Sequence, residues 1–373
     1  MIYFDNAAST KPIPDVLNVF YKVCQENYAN PSSAHTFGIK TEAIVNESRE
    51  TVASLLGVLS DEIIFTSGGT EANNMAIFGI SDRYRRSGSH IITTKTEHPS
   101  VLAPIKFLEQ KGFKVTYVPV SDKGHIDDKY LYDAVCDDTI LVSIHQINSE
   151  AGTIQNIDTL AKGVKSKNKN TIFHCDGVQA FGKILINLKN IDLYSMSGHK
   201  IHCVKGIGAL YIKKGIKMSP LFHGGSHQGG LRGGTENSMG SAAFALSAKI
   251  AYESMADSHE KVLKVKKRLL ELSDDDKVLT NGDVENGSPY ILNMSFLGKK
   301  GEVLLRYLDE KGIFVSTGSA CNSKKKDLGG LIHFGYPSDR VLSAVRFSFS
   351  KFNTVEEADI CAFAIKEALM KLI

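Results

Sequence analysis

An α/β architecture follows from three features of the 373-residue chain. Over its first two thirds, short apolar runs alternate with helical patterns, which calls for a mostly parallel sheet covered by helices on both faces. Beyond about residue 240 the alternation gives way to a long helix, a few short strands and a closing helix, the pattern of a smaller α+β domain. The composition, 42% hydrophobic and 23% charged, is ordinary for a globular protein and excludes a disordered, collagen-like or coiled-coil chain. The length fits two or three domains.

The large domain takes its seven-stranded sheet from runs at Glu62–Thr66, His90–Thr94, Lys114–Val118, Thr139–Ile144, Thr171–Cys175, Asp192–Met196 and Ile207–Ile212. The last two lie close together, so the final strand is free to run antiparallel. Ala242–Glu271 reads as one long helix, followed by a polar stretch at Ser273–Asp276. A strand at Ile291–Phe296, a helix at Gly301–Lys311 and short strands at Ile313–Ser316 and Val345–Phe349 complete the smaller part. Thr354 with Glu357 three residues on forms a capping box that opens the last helix. Cys361, Ile365, Ala368 and Leu372 make its apolar face.

Lys and Arg number 44 against 41 Asp and Glu, a net charge of +3, too small to argue for direct nucleic-acid binding or a membrane surface. No basic leader with an apolar core opens the chain, and no apolar run approaches the length of a membrane span. The six cysteines show no C-x-x-C pair, which suits a reducing cytoplasm. Most are expected to be buried filler, with Cys24 and Cys361 on the apolar faces of helices. Cys321 differs, because it sits in a polar segment rich in Gly and Lys.

Six motifs can carry chemistry. Phe65-Thr66-Ser67-Gly68-Gly69-Thr70-Glu71 ends a strand at a double glycine and begins a helix, an anion-binding turn or a simple N-cap at Thr70. No Gly-Lys-Ser/Thr follows, so it is not a nucleotide P-loop. Ser197-Gly198-His199-Lys200 follows another strand, where a desolvated lysine becomes a nucleophilic amine. A surface lysine in a turn is the plainer alternative. His199, His202 and Cys203 fit no zinc spacing, and no metal is expected. Asp176, at the next strand end before Lys200, is either a helix cap or a buried carboxylate in need of a cation. His98, between a strand and Pro99, can stack on a flat ring and move protons, or serve the structure alone. In Gly318-Ser319-Ala320-Cys321-Asn322-Ser323 the neighbouring Lys324, Lys325 and Lys326 favour a reactive thiolate. Arg346, inside an apolar strand, needs a carboxylate, either structural or from a ligand.

These motifs, taken in order with Phe4-Asp5-Asn6-Ala7-Ala8, Asn30-Pro31-Ser32-Ser33, Glu97-His98, Asn148-Ser149-Glu150, Asp176-Gly177-Val178-Gln179, Arg232-Gly233-Gly234-Thr235-Glu236-Asn237 and Arg346-Phe347-Ser348, run over essentially the whole chain. The ordered set resembles the cysteine desulfurases, class-V aminotransferase-like enzymes of pyridoxal phosphate fold type I. The resemblance implies pyridoxal 5'-phosphate as cofactor, with Lys200 as its Schiff-base lysine, Asp176 on the pyridine nitrogen and His98 stacked on the ring. It implies Gln179 and Asn148 on the phenolic-oxygen side. Gly69, Thr70, Ser197, His199 and, from a partner subunit, Thr235 would hold the phosphate. Arg346 with Asn30 would clamp the substrate carboxylate, and Cys321 would take sulfur from L-cysteine as a persulfide.

The implied catalytic set is therefore Cys321, Lys200 and His98, in a homodimer that passes sulfur to an iron–sulfur scaffold or a tRNA-thiolating enzyme. A selenocysteine lyase or another class-V lyase or aminotransferase is the alternative of the same chemistry. A catalytically weakened sulfur-carrier or docking protein is the alternative of another class. The resemblance also divides the chain into a large domain at 13–255 and a small one made of 1–12 and 256–373, carrying a mobile cysteine loop at about 317–335. The sequence departs from the family's pattern at Cys203-Val204, at Gly229, where an Arg is usual, and at Ser149. Cys203 is a second thiol near Lys200 that could confuse labelling.

Overall fold

The computed structural model describes residues 1–318 and 329–371. Twelve strands are described: β1 (Ile2–Tyr3), β2 (Ile63–Thr66), β3 (His90–Thr94), β4 (Lys114–Val118), β5 (Thr139–His145), β6 (Ile172–Asp176), β7 (Leu193–Ser197), β8 (Gly208–Ile212), β9 (Val278–Asn281), β10 (Ile291–Phe296), β11 (Ile313–Phe314) and β12 (Ala344–Ser348). The helices are α1 (Pro14–Glu26), α2 (Thr36–Leu56), α3 (Gly69–Arg83), α4 (Pro99–Gln110), α5 (Asp128–Ala134), α6 (Ile157–Lys167), α7 (Ser238–Glu253), α8 (Met255–Leu270), α9 (Gly301–Glu310), α10 (Ser338–Leu342) and α11 (Val355–Lys371).

The large sheet has seven strands in the order β2-β8-β7-β6-β5-β3-β4. β8 runs antiparallel to both neighbours and the other pairings are parallel, as the short connection before it allows. Strands β5, β6 and β7 are buried along their whole length, because helices cover both faces. Phe65, Val142, Phe173 and Tyr194 pack with Val52 of α2 and Phe244 of α7 on one face. Met75 and Ile80 of α3 pack with Val101 and Ile105 of α4 on the other.

A second core lies under the antiparallel sheet β12-β10-β9, where Met294 and Phe347 meet Val265 of α8, Leu304 of α9 and Ile365 of α11. β1 joins this part of the chain, pairing in parallel with β11 through Ile2↔Ile313 and Tyr3↔Phe314.

The expected helix at Ala242–Glu271 is two helices. Ser254 leaves helical geometry (φ −99°, ψ 10°), and its hydroxyl donates back to Ile250 O at 2.7 Å. The break lets α7 pack on the large core and α8 on the second. β9 was not expected; it follows a polar stretch and is only four residues long, too short to show a period. Cys24 is exposed rather than buried, because α1 buries the Val16 and Val23 stripe and Cys24 lies one position off it. The Thr354–Glu357 capping box forms, with both reciprocal bonds at 3.2 Å. Leu372 and Cys321 lie outside the described residues. No helix among those described is long and apolar enough to cross a membrane.

Candidate active site

The carboxyl ends of β3, β5, β6 and β7 open onto one cavity of about 550 Å³, where ligands bind in sheets of this kind. Gly69, Thr70, His98, Asp176, Gln179, Ser197, His199 and Lys200 all line it. Segments far apart in sequence thus converge because parallel strands deliver their loops to the same edge.

The amino end of α3 forms one wall. Gly68 (φ +154°) turns the chain from β2 into the helix, a conformation that side chains other than glycine's rarely adopt. A Cβ on Gly69 would stand 2.5 Å from Val178 Cγ2, so glycine lets the backbone lie against the Val178 side chain. Free N–H groups at the helix start face the cavity, and Ser197 Oγ is buried there with no partner among the described residues. Glu71 does not spoil this positive end. Burial works to raise its carboxyl, but hydrogen bonds from Arg232 (2.9 Å) and Ser67 N (3.0 Å) outweigh burial and lower it. His199 is held neutral, pushed down to about 4 by burial and by Lys200 and Lys205, so it offers an N–H rather than a charge.

Asp176 ends β6. Its Oδ2 accepts from Asn73 Nδ2 at 2.8 Å and its Oδ1 from Val178 N at 3.0 Å. It is buried and forms no ion pair among the described residues. Asn73 also donates to Ser100 Oγ at 2.8 Å, and Ser100 Oγ sits 2.7 Å from His98 Nδ1. His98 caps α4 by accepting from Ser100 N at 3.1 Å, which places its proton on Nε2. Burial and the nearby Lys200 lower the His98 pKa against the pull of Asp176, leaving a neutral imidazole. Lys200 Nζ donates to Ala7 O at 2.5 Å and to Ala8 O at 2.8 Å, so the N-terminal segment reaches the cavity.

Other expected residues lie elsewhere. Asn148 is buried; its Oδ1 accepts from Glu150 N (3.0 Å) and Ala151 N (2.8 Å), and its Nδ2 donates to Thr96 O. Arg346 lies off the cavity lining, bound to Asp5 Oδ1 and Ser149 O at 2.9 Å each, with its buried Nε unpartnered among the described residues. Asn30 is exposed and its Oδ1 accepts from Ser32 N at 3.0 Å. Thr235 is exposed and outside its own chain's cavity. Cys321 is not among the described residues. Cys203 is fully buried, and burial pushes its thiol up to about 12, which works against labelling in the folded protein.

Sequence reasoning missed Asn73, Ser100 and His145. Asn73 sits on the buried face of α3, and a polar residue in an otherwise apolar helical stripe was the available signal. His145, on β5 beside Asp176, lines the cavity with Glu97 behind it.

The chain matches the family model described as aminotransferase class-V over residues 2–361. It is 42% identical to a protein of Clostridium botulinum named cysteine desulfurase IscS, over all of this chain and 94% of that one. Among solved structures, a NifS-like protein superposes with a TM-score of 0.94 at 38% identity, each chain covered in full. A structure described as SspA in complex with cysteine superposes with a TM-score of 0.81 at 29% identity, covering 95% of this chain and all of that one. With its residues matched nearly end to end, the chain belongs to the aminotransferase class-V family.

Proposed function

We propose that this class-V enzyme is a cysteine desulfurase that converts L-cysteine to L-alanine and carries the sulfur as a persulfide on Cys321. The observation that carries the reading is the meeting of Lys200, Asp176 and His98 with the start of α3 in one cavity. The family works with pyridoxal 5'-phosphate, and the residues present fit it. A buried carboxylate without an ion pair suits a protonated pyridine nitrogen, and the unpartnered Ser197 Oγ and the α3 N–H groups suit a phosphate. Bound there, the cofactor supplies an electron sink that loosens the Cα–H and Cβ–S bonds of the amino acid.

The chain's own residues do the rest. Lys200 Nζ would hold the cofactor, and the same amine would take up the proton from the substrate Cα. The neutral His98 carries an exchangeable proton at Nε2. Arg346, braced by Asp5, offers its spare Nε to the substrate carboxylate. The Cys321 thiolate attacks the substrate sulfur; an S–S bond forms, the Cβ–S bond breaks, and its electron pair is protonated at Cβ to give alanine.

The proposal extends to a homodimer in which Thr235 completes the partner's phosphate site, supported by its exposure outside its own cavity. The domain division at 13–255 against 1–12 with 256–373 is supported by the separate core under β12-β10-β9. The acceptor is an iron–sulfur scaffold or a tRNA-thiolating enzyme. The five cysteines among the described residues are unpaired, which suits a reducing cytoplasm.

The test is incubation of wild type and Cys321→Ser with L-cysteine, reading alanine and protein-bound persulfide. Wild type releases alanine and Cys321→Ser forms no persulfide. Unchanged persulfide in the variant removes Cys321 from the mechanism. Parallel turnover of L-selenocysteine and cysteine sulfinate separates a desulfurase from a selenocysteine lyase.

A further inference from the structure

Lys183 is a buried lysine that the chemistry above does not use. It sits at the end of the turn that follows Asp176, 8% exposed, and no carboxylate among the described residues pairs with it. An ammonium buried without a counter-ion is costly, so its retention asks for a reason. Its Nζ donates to Gln179 Oε1 at 3.1 Å, and the Tyr290 ring lies 5.7 Å from it. Gln179 Nε2 in turn donates to Ala7 O at 2.9 Å, and Ala7 O is also the acceptor of Lys200 Nζ.

The polarity of this chain is determined by chemistry. An ammonium has only donors, so the amide atom facing it must be the oxygen. A carbonyl only accepts, so the amide atom facing Ala7 must be the nitrogen. Both ends demand the same orientation of Gln179, which leaves its second N–H for the cavity it lines. Without Lys183 the orientation would rest on Ala7 O alone, a weaker hold on which end of the amide faces the cavity.

We propose that Lys183 is a positioning residue of the active site, fixing the Gln179 amide so that its NH2 end addresses the bound cofactor. The inference rests on the pyridoxal phosphate reading above and goes beyond it in assigning a role outside the cavity. Burial and the neighbouring Lys200 and Arg346 push the Lys183 pKa down to about 7, but even a neutral amine keeps its donors. The neutral amine can also accept, so in that form Ala7 O alone dictates the orientation.

The experiment is a double-mutant cycle on the holoenzyme, read as the rate at which the visible absorption of the cofactor is lost on dilution. Lys183→Met removes a hydrogen bond from a charged donor and speeds release by roughly ten-fold or more. Lys183→Arg, which keeps a donor, restores most of the retention. In a Gln179→Leu background, Lys183→Met adds nothing, because the amide it orients is gone. Lys183→Gln serves as a second variant if the Met form does not fold. Wild-type release from Lys183→Met, or effects of Lys183→Met and Gln179→Leu that simply multiply, overturns the proposal. A wild-type protein that holds no pyridoxal phosphate overturns the functional reading instead, so the two failures are distinguishable.

Discussion

Glu97 Oε1 lies 2.8 Å from Nδ1 of His145, and both side chains are buried. The two are close enough to act as a charge pair when the imidazole is protonated. Thr94 Oγ1 holds the same carboxylate oxygen at 2.8 Å. Burial alone would lower the imidazole, but Glu97 outweighs it and, with Asp176, raises its pKa. A raised folded pKa means stabilisation that is full below the unfolded value of about 6.5 and lost as pH rises through the folded value. Glu97→Gln should therefore cost most at pH 6, about 3 kcal/mol, and less at pH 9. Thermal unfolding at both pH values checks this, and a deficit that grows with pH would refute it.

Asn73 ties Asp176 to Ser100 and, through Ser100, to His98. Asn73→Ala removes a hydrogen bond to a charged acceptor worth about 1.5–3 kcal/mol. Cofactor retention should fall roughly ten-fold or more, with alanine release falling in parallel. Equilibrium dialysis of the holoenzyme measures it.

Gly69 has no room for a side chain. Gly69→Ala places a methyl against Val178 Cγ2, an overpacking cost of about 1–3 kcal/mol. Trimming the obstacle with Val178→Ala should recover most of the lost melting temperature. If the second substitution brings no recovery, the clash is not the cause.

Cys175, Cys203 and Cys361 are buried, and burial raises each thiol. Native protein treated with iodoacetamide at about pH 8, where only thiolates react, should leave all three unmodified by mass spectrometry. Alkylated Cys203 in folded protein would show that the loop after Lys200 opens.

Asp5 braces Arg346. Asp5→Asn keeps the shape but loses the charge, about 1 kcal/mol for a partly exposed pair, so KM for L-cysteine should rise about five-fold with kcat less affected. A change confined to kcat would give Asp5 a different role.

Much of the site was legible because local rules create it. A strand followed by Gly68-Gly69 must turn into a helix start, and lysine, acid and histidine after strands fall at a sheet's carboxyl edge. The Thr354–Glu357 box acts within four residues and could be read directly. The break at Ser254 was not legible, since Ala242–Glu271 has helical periodicity throughout and only the need to serve two cores bends it.

The sequence by itself determined the strands of the large sheet, their helical covering, and the ordered motifs that identify the family. The tertiary structure decided which polar groups meet. Gln179 and Ala7, Glu97 and His145, and Asp5 and Arg346 pair across strands and chain ends that local patterning does not relate. Their partnerships follow from strand register and from the return of the N-terminus, and both are fixed only when the apolar faces are buried together.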